Sequence, residues 1–179
     1  METIKIREKK FKKLVDISQI EEVVSQSQNV INSILQKDSD AIFIVMANGA
    51  NWFAQKLFSV YENTSLHIEY ARLESYVGTA QANVSFVSMP AEDDIRGKSV
   101  IVVEDILDSG KTMEHFKTWL TEKKVKNIHL IALCKRDGNS LSTDNSPLII
   151  AKGEWIVGCG MDYNHCGRNL KHIYTMEKS

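Results

Sequence analysis

The sequence predicts an α/β fold: a mostly parallel sheet flanked by helices. Three observations lead there. Continuous apolar runs at Ala41–Ala47 (AIFIVMA), Lys98–Val103 and Ile128–Cys134 (IHLIALC) read as strands buried on both faces. Segments with apolar residues at helical spacing alternate with these runs, the order that builds a parallel sheet. The length of 179 residues suits one domain, expected to span 1–179 and to bury about 70 % of its unfolded surface.

In chain order, Ile20, Val23, Val24, Ile31, Ile34 and Leu35 share one helical face, so a helix is expected to about Gln36, where KDSD breaks it. After AIFIVMA, the stretch NGANWFAQKLFSVYE reads as a turn entering a helix, with Trp52, Phe53, Leu57 and Val60 inward. A second strand is expected over Leu66–Leu73. Glu74 to Met89 is small and polar until VSFV, which predicts a long mobile loop returning through a strand. Lys111–Lys123 reads as a helix, and Leu148–Ile150 and Trp155–Val157 as short strands. No repeat, low-complexity stretch or linker interrupts this order, and proline occurs only at Pro90 and Pro147.

Lys and Arg total 22 against 23 Asp and Glu, a net charge of −1, so no global field draws the chain to nucleic acid or an anionic membrane. Seven residues is the longest apolar run, where a membrane-spanning helix needs about 20. The Lys-rich start METIKIREKKFKK has no apolar segment after it, so a soluble chain without an export signal is expected. Cys134, Cys159 and Cys166 are odd in number and form no C-x-x-C pair, which supports neither a disulfide framework nor a zinc site and favours a reducing, cytoplasmic setting. His67, His115, His129, His165 and His172 show no metal-ligand spacing and read as surface or packing residues.

The chemistry concentrates in Val100–Thr112, VIVVEDILDSGKT: a buried strand, the acidic pair Glu104 and Asp105, a third carboxylate at Asp108, then Ser109, Gly110, Lys111 and Thr112 opening a helix. Ligands of an open parallel sheet bind just beyond the carboxyl ends of its strands. A glycine, hydroxyls and the free N–H groups of a helix start make a phosphate cradle. A Walker A loop needs Gly six positions before Lys111, where this chain has Asp105, so the cradle takes another kind of phosphate. Three carboxylates beside it would repel that phosphate without a cation, and Glu104 and Asp105 suit Mg²⁺ and sugar hydroxyls.

VVEDILDSGKT resembles the phosphoribosyl diphosphate signature of type I phosphoribosyltransferases. Trp155–Leu170, WIVGCGMDYNHCGRNL, is similar to the C-terminal signature of their hypoxanthine/guanine branch; LCKR around Lys135 and RLESY at Arg72–Tyr76 extend the likeness over roughly 40–175. The resemblance implies a small hood over the site, contributed by the N-terminal segment and about 145–179, and the displacement of pyrophosphate from ribose C1 by N9 of a purine. It implies Glu104 and Asp105 on the ribose hydroxyls and Mg²⁺, Asp162 near a second Mg²⁺, Asp108 as general base at N7, and Ser109–Thr112 on the 5′-phosphate. It further implies Lys135 on the 6-oxo oxygen, Trp155 stacked on the base and the main chain of Ile156 along its far edge. Arg168 and the Ala47, Asn48, Gly49 turn would bind pyrophosphate, and Ser75 and Tyr76 would begin a loop that closes over the site. The turn departs from the family's Lys- or Arg-Gly-Gly pattern, leaving backbone N–H groups for the anion. His165 lies inside the C-terminal motif, with no role required of it.

The expected partners are therefore small molecules, a purine base and phosphoribosyl diphosphate, with Mg²⁺ as cofactor; relatives form homodimers or homotetramers. Two rivals stand beside hypoxanthine or guanine salvage: the same chemistry on xanthine or another 6-oxopurine, and a non-catalytic regulator that senses phosphoribosyl diphosphate.

Overall fold

A computed structural model describes residues 2–62, 66–76 and 83–177, with the backbone alone at 74–76, 83 and 84. In chain order the elements are β1 (Thr3–Ile6), β2 (Lys9–Val15), α1 (Ile17–Lys37), β3 (Ile42–Met46), α2 (Asn51–Phe58), β4 (Ile68–Tyr76) and β5 (Asn83–Ser88). They continue with α3 (Glu92–Ile95), β6 (Ser99–Leu107), α4 (Lys111–Glu122), β7 (Asn127–Arg136), β8 (Leu148–Ile150), β9 (Ile156–Val157) and β10 (Ile173–Met176).

The main sheet has the order β5-β4-β3-β6-β7-β8. Its four pairings from β4 through β8 are parallel and β4–β5 is antiparallel. All five residues of β3 and the first five of β6 are buried, as strands covered on both faces must be. On one side α1 is held by a capping box between Asp16 and Gln19 and buries Ile20, Val23, Val24, Ile31 and Ile34. Ser27 is buried on the same face, where Asn145 joins it to β7: the amide donates to Ser27 Oγ and to the Ala132 carbonyl and accepts from the Ala132 N–H. Every polar group of that buried contact is paired, so it ties helix to sheet without a desolvation penalty. No described helix is long and apolar enough to cross a membrane.

A second sheet, β1-β2-β10-β9, is wholly antiparallel and unites the two ends of the chain over a small core of Ile6, Phe11, Val157 and Tyr174. Ile156 of its β9 lines a cavity together with Asp105 and Ile106 near the carboxyl end of β6.

The structure differs from the sequence reading at several elements. The basic start is two strands, because Phe11 and Val15 point inward while the lysines between them face out or lie half-buried. Val60 is 57 % exposed, since α2 stops at Phe58, one residue short of the Ser59 cap. The strand expected to end at Leu73 continues to Tyr76, and Ser75 and Tyr76 pair with Val84 and Asn83, so the stretch from Glu74 is a hairpin arm at its start; 77–82 lie outside the described residues. β6 runs on through Glu104 and Asp105 to Leu107, held by its pairing with β7 as far as Leu107↔Lys135. The acidic pair therefore sits within the strand, with Glu104 on one cavity and Asp105 on the other.

Candidate active site

Two cavities meet where β6 ends. One, of about 220 Å³, is lined by Asp105, Ile106, Asp108, Arg136, Trp155, Ile156, Met161 and Asp162. The other, of about 160 Å³, is lined by Glu104, Ile106, Leu107, Asp108, Ser109, Gly110, Thr112 and Met113. Asp108 and Ile106 border both.

The smaller cavity is lined by Ser109, Gly110 and Thr112, three of the residues expected on the 5′-phosphate. Gly110 takes a left-handed φ of +83° and starts α4 with no side-chain cap, so N–H groups of the first turn remain available to an anion. Lys111 donates its N–H to Ser109 Oγ, and its side chain is exposed outside the lining. Glu104 receives a hydrogen bond from the Asp105 N–H at 3.0 Å. Burial first, and the negative charge of Asp105 second, push its carboxyl well above the usual carboxylate range. A group in that state is stabilised by any cation that arrives beside it.

Around the larger cavity, Trp155 is 57 % exposed and meets Tyr163 edge-on at 6.4 Å, which leaves an indole face open for stacking. Arg136 donates from Nε to Asp108 Oδ1 at 2.7 Å and from Nη1 to the Ala151 and Glu154 carbonyls. The sequence reading singles out its neighbour Lys135 and does not name Arg136. The Lys135 ammonium instead donates to the Leu141 carbonyl and does not line either cavity.

The turn after β3 lies against the acidic pair. A Cβ at Gly49 would sit 1.9 Å from Asp105 Oδ2, and a Cβ at Gly160 would sit 1.8 Å from the Gly49 carbonyl oxygen. Glycine is required at both for Asp105, the turn and the 158–162 segment to stack this closely. The Ala47–Asn48 peptide is cis. Arg168 donates to the Gly160 carbonyl at 2.7 Å and pairs with Asp162 at 2.6 Å. Ala47, Asn48, Gly49, Asp105, Asp162 and Arg168 are thereby linked through Gly160. Gly167, before Arg168, has a φ of +98° and no room to spare, since a Cβ would meet Ile6 at 3.2 Å.

His165 contributes its backbone N–H to Asp162, and the His172 ring accepts from the Ile17 N–H, a packing role. Burial pushes the thiols of Cys134 and Cys159 up, that of Cys159 to about 12, so neither is a nucleophile at neutral pH. Among the described residues no group of three or more His, Cys, Asp and Glu side chains could hold a metal by itself. Ser75 and Tyr76 are placed by their backbone alone, at the end of β4.

The sequence profile of the phosphoribosyl transferase domain matches residues 15–164. The chain belongs to that family. It is 26 % identical over 175 residues to the hypoxanthine-guanine phosphoribosyltransferase of Aquifex aeolicus, covering 96 % of this chain and 98 % of the relative. It is 28 % identical over 147 residues to the hypoxanthine-guanine-xanthine phosphoribosyltransferase of Tritrichomonas foetus, covering 80 % and 79 %. A crystal structure of a hypoxanthine-guanine phosphoribosyltransferase from Bacillus anthracis superposes with a TM-score of 0.76 at 26 % identity, over 93 % of this chain and 97 % of that one.

Proposed function

We propose that this phosphoribosyltransferase acts in purine salvage, transferring the 5-phosphoribosyl group of phosphoribosyl diphosphate to N9 of hypoxanthine or guanine. The observation that carries the reading is the position of Asp108 on the wall shared by an amide-lined phosphate cradle and a cavity with an open indole face. A base stacked on Trp155 there has a carboxylate within reach of its ring nitrogens. In the reaction the bond from C1 to pyrophosphate breaks, the bond from C1 to N9 forms, and the base loses a proton, which Asp108 accepts at N7. Positioning and charge stabilisation supply most of the rate.

The cavity is lined by Arg136, whose Nε and Nη1 hydrogens are spent on Asp108, Ala151 and Glu154. The donor for the 6-oxo oxygen is assigned to Lys135, as the resemblance implies, its ammonium leaving the Leu141 carbonyl for the base. Adenine would leave that donor unpaired, a penalty that rejects the wrong base. The Ile156 main chain follows the far edge of the base. Pyrophosphate falls to the backbone N–H groups of Asn48 and Gly49, that of Ala47 being spent on the Ala71 carbonyl, and to Arg168, whose planar fork suits two phosphate oxygens. The Ser75–Tyr76 end of the β4–β5 hairpin is assigned to closure over the bound substrates.

Mg²⁺ fits this donor set. Glu104 and Asp105 offer hard carboxylate oxygens, and the raised Glu104 carboxyl answers to a nearby cation; with fewer than three protein carboxylates together, substrate oxygens and water complete the shell. Asp162 stands ready at the pyrophosphate end. Bound there, the ion would supply charge screening of the polyanionic substrate and Lewis-acid polarisation of its leaving group.

The test is ultraviolet absorbance of the purified protein with phosphoribosyl diphosphate, Mg²⁺ and, in parallel, hypoxanthine, guanine or xanthine. The expected result is conversion of hypoxanthine or guanine to the nucleotide, abolished by chelation. Tight binding of phosphoribosyl diphosphate with no conversion of any base would replace the enzyme with a sensor.

A further inference from the structure

The first hairpin of the chain reaches the loop that follows Asp162. Ile6 ends β1 and Lys9 opens β2, and the two pair across a turn of only two residues, Arg7 and Glu8. Three consecutive residues of this hairpin meet the 163–167 loop. A Cβ on Gly167 would lie 3.2 Å from the Ile6 side chain. Arg7 donates from Nη2 to the Asn164 carbonyl at 3.1 Å, and the Glu8 carboxylate accepts from the Tyr163 hydroxyl at 2.5 Å. Tyr163 also packs on Phe11 of β2, ring centroids 5.7 Å apart, and stands edge-on to Trp155 at 6.4 Å.

We propose that Glu8 is a positioning residue for the purine base: its hydrogen bond to Tyr163 fixes the ring that braces the indole of Trp155. The proposal rests on the reading of Trp155 as the stacking surface and names what holds that surface in place. Trp155 is 57 % exposed, and among the described residues Tyr163 is the aromatic ring packed against it. Its main chain is held, the Trp155 carbonyl accepting the Met176 N–H at 2.9 Å, so the freedom left lies in the side chain. The Tyr163 main chain is likewise fixed, because it exchanges both hydrogen bonds with Cys166. What remains is the swing of the phenol ring, which Phe11 limits along its body and Glu8 at its hydroxyl. The short O–H···O⁻ separation is that of a charge-assisted bond, stronger than a neutral acceptor would give. With Tyr163 held, the indole cannot turn into its place, and the open face is presented to the cavity before the base arrives. Pre-orientation of this kind lowers the ordering cost of binding. Neither Glu8 nor Tyr163 lines the cavity at Ser109, Gly110 and Thr112, so the phosphate end does not depend on the brace.

The test compares Glu8→Ala, Tyr163→Phe and their double variant with Glu8→Gln, which keeps an oxygen acceptor, and with Trp155→Ala as the reference for lost stacking. Steady-state kinetics gives KM for hypoxanthine and for phosphoribosyl diphosphate, and calorimetry with GMP gives an affinity that needs no turnover. Glu8→Ala and Tyr163→Phe are each expected to raise KM for hypoxanthine and weaken GMP binding about fivefold, the equivalent of one hydrogen bond. The double variant should be no worse than either single one, since both remove the same bond. Glu8→Gln should stay within about twofold of wild type, as should KM for phosphoribosyl diphosphate in all four. If Glu8→Ala does not fold, Tyr163→Phe against Glu8→Gln carries the same comparison. The brace is overturned if Trp155→Ala weakens base binding and Glu8→Ala does not, or if the two single effects add in the double variant. It is equally overturned if KM rises alike for both substrates, the mark of a general loosening of the N-terminal sheet. Unchanged values in Trp155→Ala would remove the stacking reading and the brace with it. A wild-type protein that binds GMP but turns over no base would remove the enzyme reading and leave the brace to be judged on GMP affinity alone.

Discussion

Replacing Gly49 with alanine adds one methyl group at a crowded point of the site. That carbon would sit 1.9 Å from Asp105 Oδ2 and 2.5 Å from its Cγ, where real Cβ contacts stay beyond 3.0 Å. Asp105 or the 47–49 turn must therefore retreat by about 1 Å. Overpacking of this kind costs roughly 1–3 kcal/mol. In a chain of 179 residues each kcal/mol lowers Tm by about 2–4 °C. The catalytic loss is larger, because a misplacement near 1 Å among positioned groups lowers the rate by about 100-fold. The expected outcome is a folded variant with a modestly reduced Tm and a fall of about two orders of magnitude in kcat/KM for phosphoribosyl diphosphate. Differential scanning fluorimetry and spectrophotometric initial rates measure the two quantities on one sample. A variant with wild-type kcat/KM and wild-type Tm would show that the close approach of the turn to Asp105 has no part in the chemistry.

Three further outcomes follow from the geometry. Asp108→Asn should retain nucleotide affinity and lose about 10²–10⁴-fold in kcat, as removal of a proton acceptor does, and wild-type turnover would refute the base assignment. Trp155→Ala should raise KM for the base about 10- to 100-fold, with Trp155→Phe restoring most of it; equal KM in all three proteins would mean that the open indole face is not used. Hydrogen bonds from Lys126 and then Ser99 hold the Asp38 carboxyl below its ordinary 3.8. A depressed folded-state value contributes stability above the unfolded pKa and loses it as pH falls through the folded one. Acid unfolding followed by circular dichroism should therefore be shallower below about pH 4 in Asp38→Asn, and identical acid limbs would discount the pair.

Elements that bury both faces were legible in advance. β3 and β6 read as unbroken apolar runs because no side of a central parallel strand meets water, and α1 declared its inward face through Ile20, Val23, Val24, Ile31 and Ile34. β2 and β10 were not legible. Their stability comes from each other, and the register Phe11↔Met176 joins residues from opposite ends of the chain. Trp155 shows the same divide at a single residue: its identity suggested stacking, and its exposed face had to be seen.

Residue order by itself determined the main sheet, the acidic pair, the glycine turn that opens α4 and the family, because each is written in neighbouring residues whose spacing carries the physics. Only the tertiary structure decided that Arg136 enters the cavity and Lys135 turns to Leu141, that Gly49 must be glycine to admit Asp105, and that the two chain ends close into one sheet. Those outcomes depend on which way a strand's alternation falls and on what a distant segment places opposite it, and neither quantity is present in a local stretch of sequence.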